Sequence, residues 1–359
     1  MGHDVIIVTL SNVSSDNTSG TSASKSYNED IKMYKLAATI LAFILTVLIT
    51  VLNGTVVYVL LKSKKDRNRL HFFVLNMAVA DFLVGAVMML GYAVENTVGR
   101  WLAETFFCKV YQACSVLVTC GSNNILMALS VDRFLAVAIP LKFMKGGTKV
   151  HWTLVSIAWG LTFPYVIMFM LYSHVSHTGT CEIHFPHSSW YKPYFDSVFA
   201  VQYLFPASLI TFCYVGICVI IWRKWKQGLE FSGRTKDRAK LSKNHDLKTN
   251  GPLRERSVQG GLLPKAKVRS IKLTAIICAA FIICWTPYFL YNFLGVHGLI
   301  AYKSGPTHFM QVLCPLNSVA NPVAFIIFNT KMFGLWYKKS DASSVSNSNM
   351  HQLTEYDTV

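Results

Sequence analysis

Residues 108–134 read CKVYQACSVLVTCGSNNILMALSVDRF, a stretch with no formal charge between Lys109 and Asp132. As one α-helix it spans roughly 40 Å, enough to cross the hydrocarbon core of a bilayer at a tilt. Leu126, Ala128, Leu129 and Val131 supply an apolar wall. Ser115, Thr119, Ser122, Asn123 and Asn124 supply polar groups that lipid penalises and that neighbouring helices must receive. Such a helix belongs at the centre of a bundle, with protein on most sides.

The whole chain agrees. Of its 359 residues 52% are hydrophobic and only 14% charged, against about 25% charged in an ordinary soluble domain. The net charge of +16 is concentrated: residues 223–272 hold fifteen Lys/Arg against four Asp/Glu, whereas residues 1–35 hold three lysines against four acidic residues. Basic loops between apolar spans mark the cytoplasmic side of a membrane protein. The basicity therefore does not argue for nucleic acid, and lipid is the expected surround. The nine cysteines fit no zinc or redox spacing.

Working outward, apolar runs predict seven spans: 36–61, 71–93, the stretch beginning at Cys108, 152–172, 194–222, 268–294 and 307–328. Pro164, Pro206, Pro287, Pro315 and Pro322 mark kinks or breaks inside them. Asp81 lies deep in span two, where an ionisable group is costly and points into the bundle or a wet cavity. Residues 332–339 alternate aromatics with lysines and suit a short helix along the membrane surface. The expected fold is thus an all-α membrane bundle of seven helices plus that amphipathic helix. Its organisation is an outer tail (1–35), a bundle (36–339) with a basic third inner loop (223–267), and a cytoplasmic tail (340–359).

Seven spans put the two ends on opposite sides. Two sequons, Asn12-Val-Ser14 and Asn17-Thr-Ser19, are glycosylation acceptors with the N-terminus outside. Cys108 and Cys181 then lie in the oxidising compartment and can pair, pinning the second outer loop over the bundle mouth. His174, His177, His184 and His187 in that loop match no zinc spacing and are expected to be loop residues.

Asn53, NMAVAD ending at Asp81, Cys108, Asp132-Arg133-Phe134, Trp159, Pro206 with Tyr214, FIICWTP (281–287) and Asn321-Pro322 resemble, in order and at matching depth, the rhodopsin-like (class A) G-protein-coupled receptors. Within that family, PKAKVRSIKLT (264–274) running into FIICWTPYFL is similar to the vasopressin/oxytocin branch and its neuropeptide S and crustacean cardioactive peptide relatives. The chain departs from that branch at Gln112, Ser115 and Glu182, where the branch normally has a basic residue, a glutamine and a tryptophan.

The resemblance implies a plasma-membrane receptor that binds an extracellular neuropeptide and activates a heterotrimeric G protein. It is not an enzyme, and arrestin is a further expected partner. Asp132, Arg133, Phe134 and Tyr214 would couple to the G protein. Asp81, Ser122, Asn317, Ser318 and Asn321 resemble the family's sodium pocket, the alternative being a protonated Asp81 in a plain hydrogen-bond network. Phe281, Trp285, Pro287 and Phe325 would carry the activation switch, with Phe325 standing where the family usually has tyrosine. Tyr92, Glu95, Gln112, Ser115, Tyr288, Asn292, Phe293 and Gln311 are the expected ligand pocket. Ser115 is no carboxylate, which disfavours an amine ligand, and span seven has no lysine for retinal. No acidic residue stands near the inner end of span six, so an ionic latch to Arg133 is not expected. The C-terminal Asp357-Thr-Val359 is a candidate PDZ ligand. A receptor for a different ligand and an ion-coupled transporter using Asp81 are the competing readings. Against the second, no inverted repeat or pair of broken helices is visible.

Overall fold

The computed structural model describes residues 21–62, 69–145, 149–242, 265–301 and 304–330. Among them, seven helices are long and apolar enough to cross a membrane: Ile31–Lys62, Arg69–Val98, Thr105–Ala138, Lys149–Tyr172, Ser188–Gln227, Val268–Val296 and Pro306–Phe328. These are spans one to seven. The sequons at Asn12 and Asn17, the surface helix expected at 332–339 and the C-terminal PDZ-like end fall outside the described residues.

Span three is the central one. Its apolar window is 72% buried, against 28% for span one and 22% for spans four and five. Several of its polar side chains are received by neighbouring helices, as their cost in lipid demands. Asn124 Nδ2 donates to the Ala158 carbonyl of span four at 3.1 Å. At Gly121 a Cβ would stand 2.5 Å from the Trp159 ring, so the glycine lets that indole lie directly on span three. Asn53 ties span one to span seven, donating to the Ser318 carbonyl at 2.9 Å. One core joins spans one to seven around Phe73, Ile125, Leu129, Phe281 and Phe325.

The proline breaks fall where the sequence places them. Span four divides between Gly160 and Phe163, next to Pro164. A π-helix, Phe199–Leu204, precedes Pro206, and Pro287 and Pro322 lie within helices. A second π-helix, Val84–Met89, widens span two just past Asp81. Three boundaries differ from the sequence reading. The first helix starts at Thr21, inside the expected outer tail. Helix Phe205–Ser242 continues well into the expected basic loop, and helix Lys265–Val296 begins within it.

The outer polar loop is a β-hairpin. Strand β1 (Ser173–Val175) pairs antiparallel with β2 (Cys181–Ile183), with Val175 opposite Cys181. Gly179, at φ 82°, makes the turn in a conformation that side chains resist.

Candidate functional site

The mouth at one end of the bundle, the outer one on the sequence reading, is built around that hairpin. Cys108 and Cys181 form a disulfide, Cα–Cα 5.6 Å, fixing β2 to the head of span three. Two residues expected in the ligand pocket reinforce this joint. Glu95 accepts the Cys181 N–H at 2.7 Å, and Gln112 Nε2 donates to the Cys181 carbonyl at 2.8 Å. These contacts engage the N–H and the carbonyl of one residue, in two successive peptide units, so Glu95 and Gln112 position the hairpin. Trp101 also binds it, donating its backbone N–H to the Gly179 carbonyl at 2.7 Å. On the hairpin His174 and His184 meet edge to face, 5.0 Å apart. Burial, and then the neighbouring His184, hold the His174 imidazole below its usual value.

Beneath the hairpin lies a cavity of about 150 Å³ that reaches spans two to seven. Of the expected pocket residues Ser115, Tyr288 and Gln311 line it, together with Trp285; Tyr92, Glu95, Gln112, Asn292 and Phe293 do not. Phe293 instead stacks on Phe199 at 4.8 Å, and Asn292 donates to the Tyr288 carbonyl at 2.7 Å. The sequence reading missed the wall from spans four and five, including Tyr165, Tyr194 and Gln202. The available signal was Gln202, a lone amide in an apolar run one turn before Pro206.

From the cavity floor an aromatic ladder descends. Trp285 lies 5.6 Å from Phe289 and 6.4 Å from Phe281, and Tyr203 lies 5.0 Å from Phe289. The Tyr203 and Thr286 hydroxyls join spans five and six at 2.6 Å. Pro287 sits beside this contact, leaving a carbonyl of the preceding turn without its helical donor. Phe281 and Phe325 are wholly buried below.

At mid-depth four of the five expected cation-pocket residues are joined by hydrogen bonds, and the fifth, Asn317, lines a void with Ser122 and Ser318. Asp81 is fully buried. Its Oδ1 accepts from Ser122 and Ser318, each at 2.7 Å, and its Oδ2 from Asn321 Nδ2 at 2.8 Å. The Oδ1 atoms of Asn317 and Asn321 are buried without a protein partner. A void of about 10 Å³, lined by Ser122, Asn317, Ser318 and Trp285, lies alongside. That is room for about one water-sized species. A carboxylate, two hydroxyls and two orphaned amide oxygens form a donor set that fits a hard monovalent cation.

At the inner end Arg133 holds two partners at once. Its Nη2 donates to Asp132 Oδ2 at 2.6 Å, and its Nη1 to Ser270 Oγ of span six at 2.9 Å. The expected absence of an acidic latch is met by a neutral one. Asp132 is fully buried, with Arg69 and His151 at longer range. Phe134 lies against span five, where a Cβ on Gly216 would come 2.6 Å from its ring. The Tyr214 hydroxyl is buried beside Thr274 and Cys278 of span six, with no hydrogen bond of good geometry. Between spans three and six the Arg133–Ser270 bond is joined, deeper in the bundle, by a contact of Ser130 Oγ with Cys278 Sγ at 3.2 Å.

A family model described as 7 transmembrane receptor (rhodopsin family) matches residues 52–325. The chain is 28% identical over 287 residues to the neuropeptide S receptor of Rattus norvegicus, covering 78% of this chain and 73% of that one. It is 27% identical over 307 residues to cephalotocin receptor 2 of Octopus vulgaris, covering 84% and 70%. It is 25% identical over 309 residues to the isotocin receptor of Catostomus commersonii, covering 85% and 77%.

Proposed function

The chain belongs to the rhodopsin family of seven-transmembrane receptors, and on that premise we propose that it binds an extracellular neuropeptide at the plasma membrane and activates heterotrimeric G proteins. As a member of this family it is a receptor and not an enzyme. The ligand class is drawn from relatives whose names are those of neuropeptide S, cephalotocin and isotocin receptors. A vasopressin/oxytocin-like peptide is the first candidate.

The observation that carries this reading is the double engagement of Arg133, by Asp132 within span three and by Ser270 on span six. It is a two-setting element: closed, it ties spans three and six; open, it frees the guanidinium toward an intracellular partner. A ligand above shifts this balance only through contacts that differ between the two settings. The hairpin fixed by Cys108–Cys181, Glu95 and Gln112 provides a rigid rim for a peptide. Trp285 and Phe281 connect the cavity to the core beneath it.

Asp81, Ser122, Asn317, Ser318 and Asn321 would hold an allosteric sodium ion. Such an ion supplies the positive charge that a buried carboxylate otherwise lacks. These residues link spans two, three and seven, so occupancy favours the closed packing. With the N-terminus outside, Asn12 and Asn17 carry glycans; arrestin and a PDZ protein are the further inner partners. A glycosidase-sensitive mobility shift that persists in the Asn12→Gln, Asn17→Gln double variant would contradict that orientation.

The test is a panel of neuropeptides, including neuropeptide S and oxytocin-type peptides, applied to cells expressing the receptor, with calcium and cAMP as readouts. A saturable response absent from untransfected cells is expected. Silence to every peptide, with the receptor at the surface, would overturn the ligand class.

A further inference from the structure

Gln202 stands in the π-helix of span five and is 5% exposed. Neither its Nε2 nor its Oε1 makes a hydrogen bond of good geometry; the Tyr165 hydroxyl interacts with the amide without satisfying either end. That hydroxyl is directed to the Ser197 carbonyl at 3.5 Å. Because both ends of the amide lack partners, the result does not depend on which atom is oxygen. A buried amide with neither group bonded is costly, and a native structure retains one where something else supplies the bonds. The widened turn matters here: one extra residue per turn re-aims side chains, a device common at binding sites.

Gln202 lines the cavity of about 150 Å³, whose lining residues include no Asp, Glu, Lys, Arg or His. Around the same cavity, Trp285 Nε1 and Gln311 Oε1 are also buried without partners, and Ser115 Oγ has the Tyr111 hydroxyl beside it. The wall thus offers acceptors at Gln202 and Gln311, donors at Gln202 and Trp285, and a hydroxyl that can do either. A free carboxylate entering it finds no countercharge, and neither does an ammonium; burial of either ion is heavily disfavoured. A primary carboxamide brings two N–H donors and one carbonyl acceptor, is neutral, and matches this set.

We infer that the deep cavity beside span five receives a primary carboxamide of the ligand, and that Gln202 is the residue specifying it. This rests on the peptide-receptor reading. Two sources carry the group: the amidated C-terminus of a peptide, or an internal Asn or Gln side chain. Ser115, Trp285 and Gln311 complete the recognition, so the cavity selects by neutral hydrogen bonding and excludes free termini of either charge.

Three randomised peptide libraries test this against the full-length receptor in lipid nanodiscs, by affinity selection and mass spectrometry. One is C-terminally amidated and lacks Asn and Gln; one ends in a free carboxylate and contains them; the third is a free acid without them. Ligands are expected from the first library or the second, each naming its source, at least about tenfold enriched over the third. Gln202→Leu should weaken the selected ligands by about tenfold to a hundredfold, whereas Gln202→Asn should retain part of the affinity. Matched thermal stability of the Leu variant verifies its fold; if it is unstable, Gln202→Met takes its place. Equal yield from the third library, or full affinity in the Leu or Met variant, overturns the carboxamide inference and leaves the peptide reading intact. No ligand from any library, together with no response to the neuropeptide panel, overturns both.

Discussion

Ser270 is the most economical place to perturb the bundle, because its contact is a single hydrogen bond between the two spans that must part. Arg133 Nη1 donates to its hydroxyl at 2.9 Å. A hydrogen bond to a charged group is worth about 1.5–3 kcal/mol. The Arg133 side chain retains 14% of its exposure, and Ser270 is half-buried, so water recovers part of the loss. About 0.5–1.5 kcal/mol is a reasonable net loss for Ser270→Ala. Since the bond exists in the closed setting alone, that loss raises the open fraction by a factor of roughly two to twelve. Ser270→Glu acts in the opposite direction, because a carboxylate facing Arg133 creates the ion pair that the native sequence lacks. Basal guanine-nucleotide exchange in membranes, at matched surface expression and without agonist, reads both. The expected order is Ala above wild type and Glu below it, with Ser270→Thr close to wild type. Basal exchange unchanged in the Ala variant, or raised in the Glu variant, would refute the latch.

Phe325 is wholly buried, its ring centroid 5.9 Å from that of His71, while the Tyr214 hydroxyl has no hydrogen bond of good geometry. Phe325→Tyr restores a hydroxyl that can reach Tyr214 through water in the open setting, so basal exchange should rise about threefold to tenfold. Adding Tyr214→Phe should erase the gain; a gain that survives would place its cause elsewhere. Asp81→Asn removes the charge at the centre of the cation pocket, and should abolish the dependence of agonist affinity on sodium measured against a choline control; persisting sodium dependence would move the ion to another site. His174 titrates below its usual value because burial, and then His184, disfavour its charged form, with His177 and Lys109 adding to this. The depressed value means that the packed hairpin binds fewer protons than an opened one. Its stability is therefore complete above about pH 6.5 and declines as pH falls through that value toward the depressed one. Ligand affinity should weaken on acidification over that window, and His174→Asn should flatten the profile; identical profiles would remove His174 from the hairpin's stability.

The spans were legible because apolar runs and prolines act locally. Asp81 was legible as a buried ionisable group in need of polar partners, whereas its grouping with Ser122 and Asn321 came from the family resemblance alone. The hairpin was not legible. Its register depends on the Cys108–Cys181 bond and on Glu95 and Gln112, which lie far away in the chain. For the same reason Glu95 and Gln112 look like ligand contacts in sequence, although each bonds the Cys181 backbone. The π-helices at Val84–Met89 and Phe199–Leu204 have no sequence signature beyond the neighbouring Pro206 in the second. That hid the direction of Gln202. Ser270 was hidden for a simpler reason: a serine among basic residues resembles ordinary loop chemistry until Arg133 is seen to reach it.

The most direct measurement compares wild type with Arg133→Ala in membranes containing a heterotrimeric G protein, recording ligand binding and ligand-stimulated GTP exchange on the same preparation. If Arg133 is the two-setting element, binding stays within about threefold of wild type while stimulated exchange is lost. Binding and exchange falling together would make Arg133 a structural anchor, and stimulated exchange surviving intact would contradict its role in coupling.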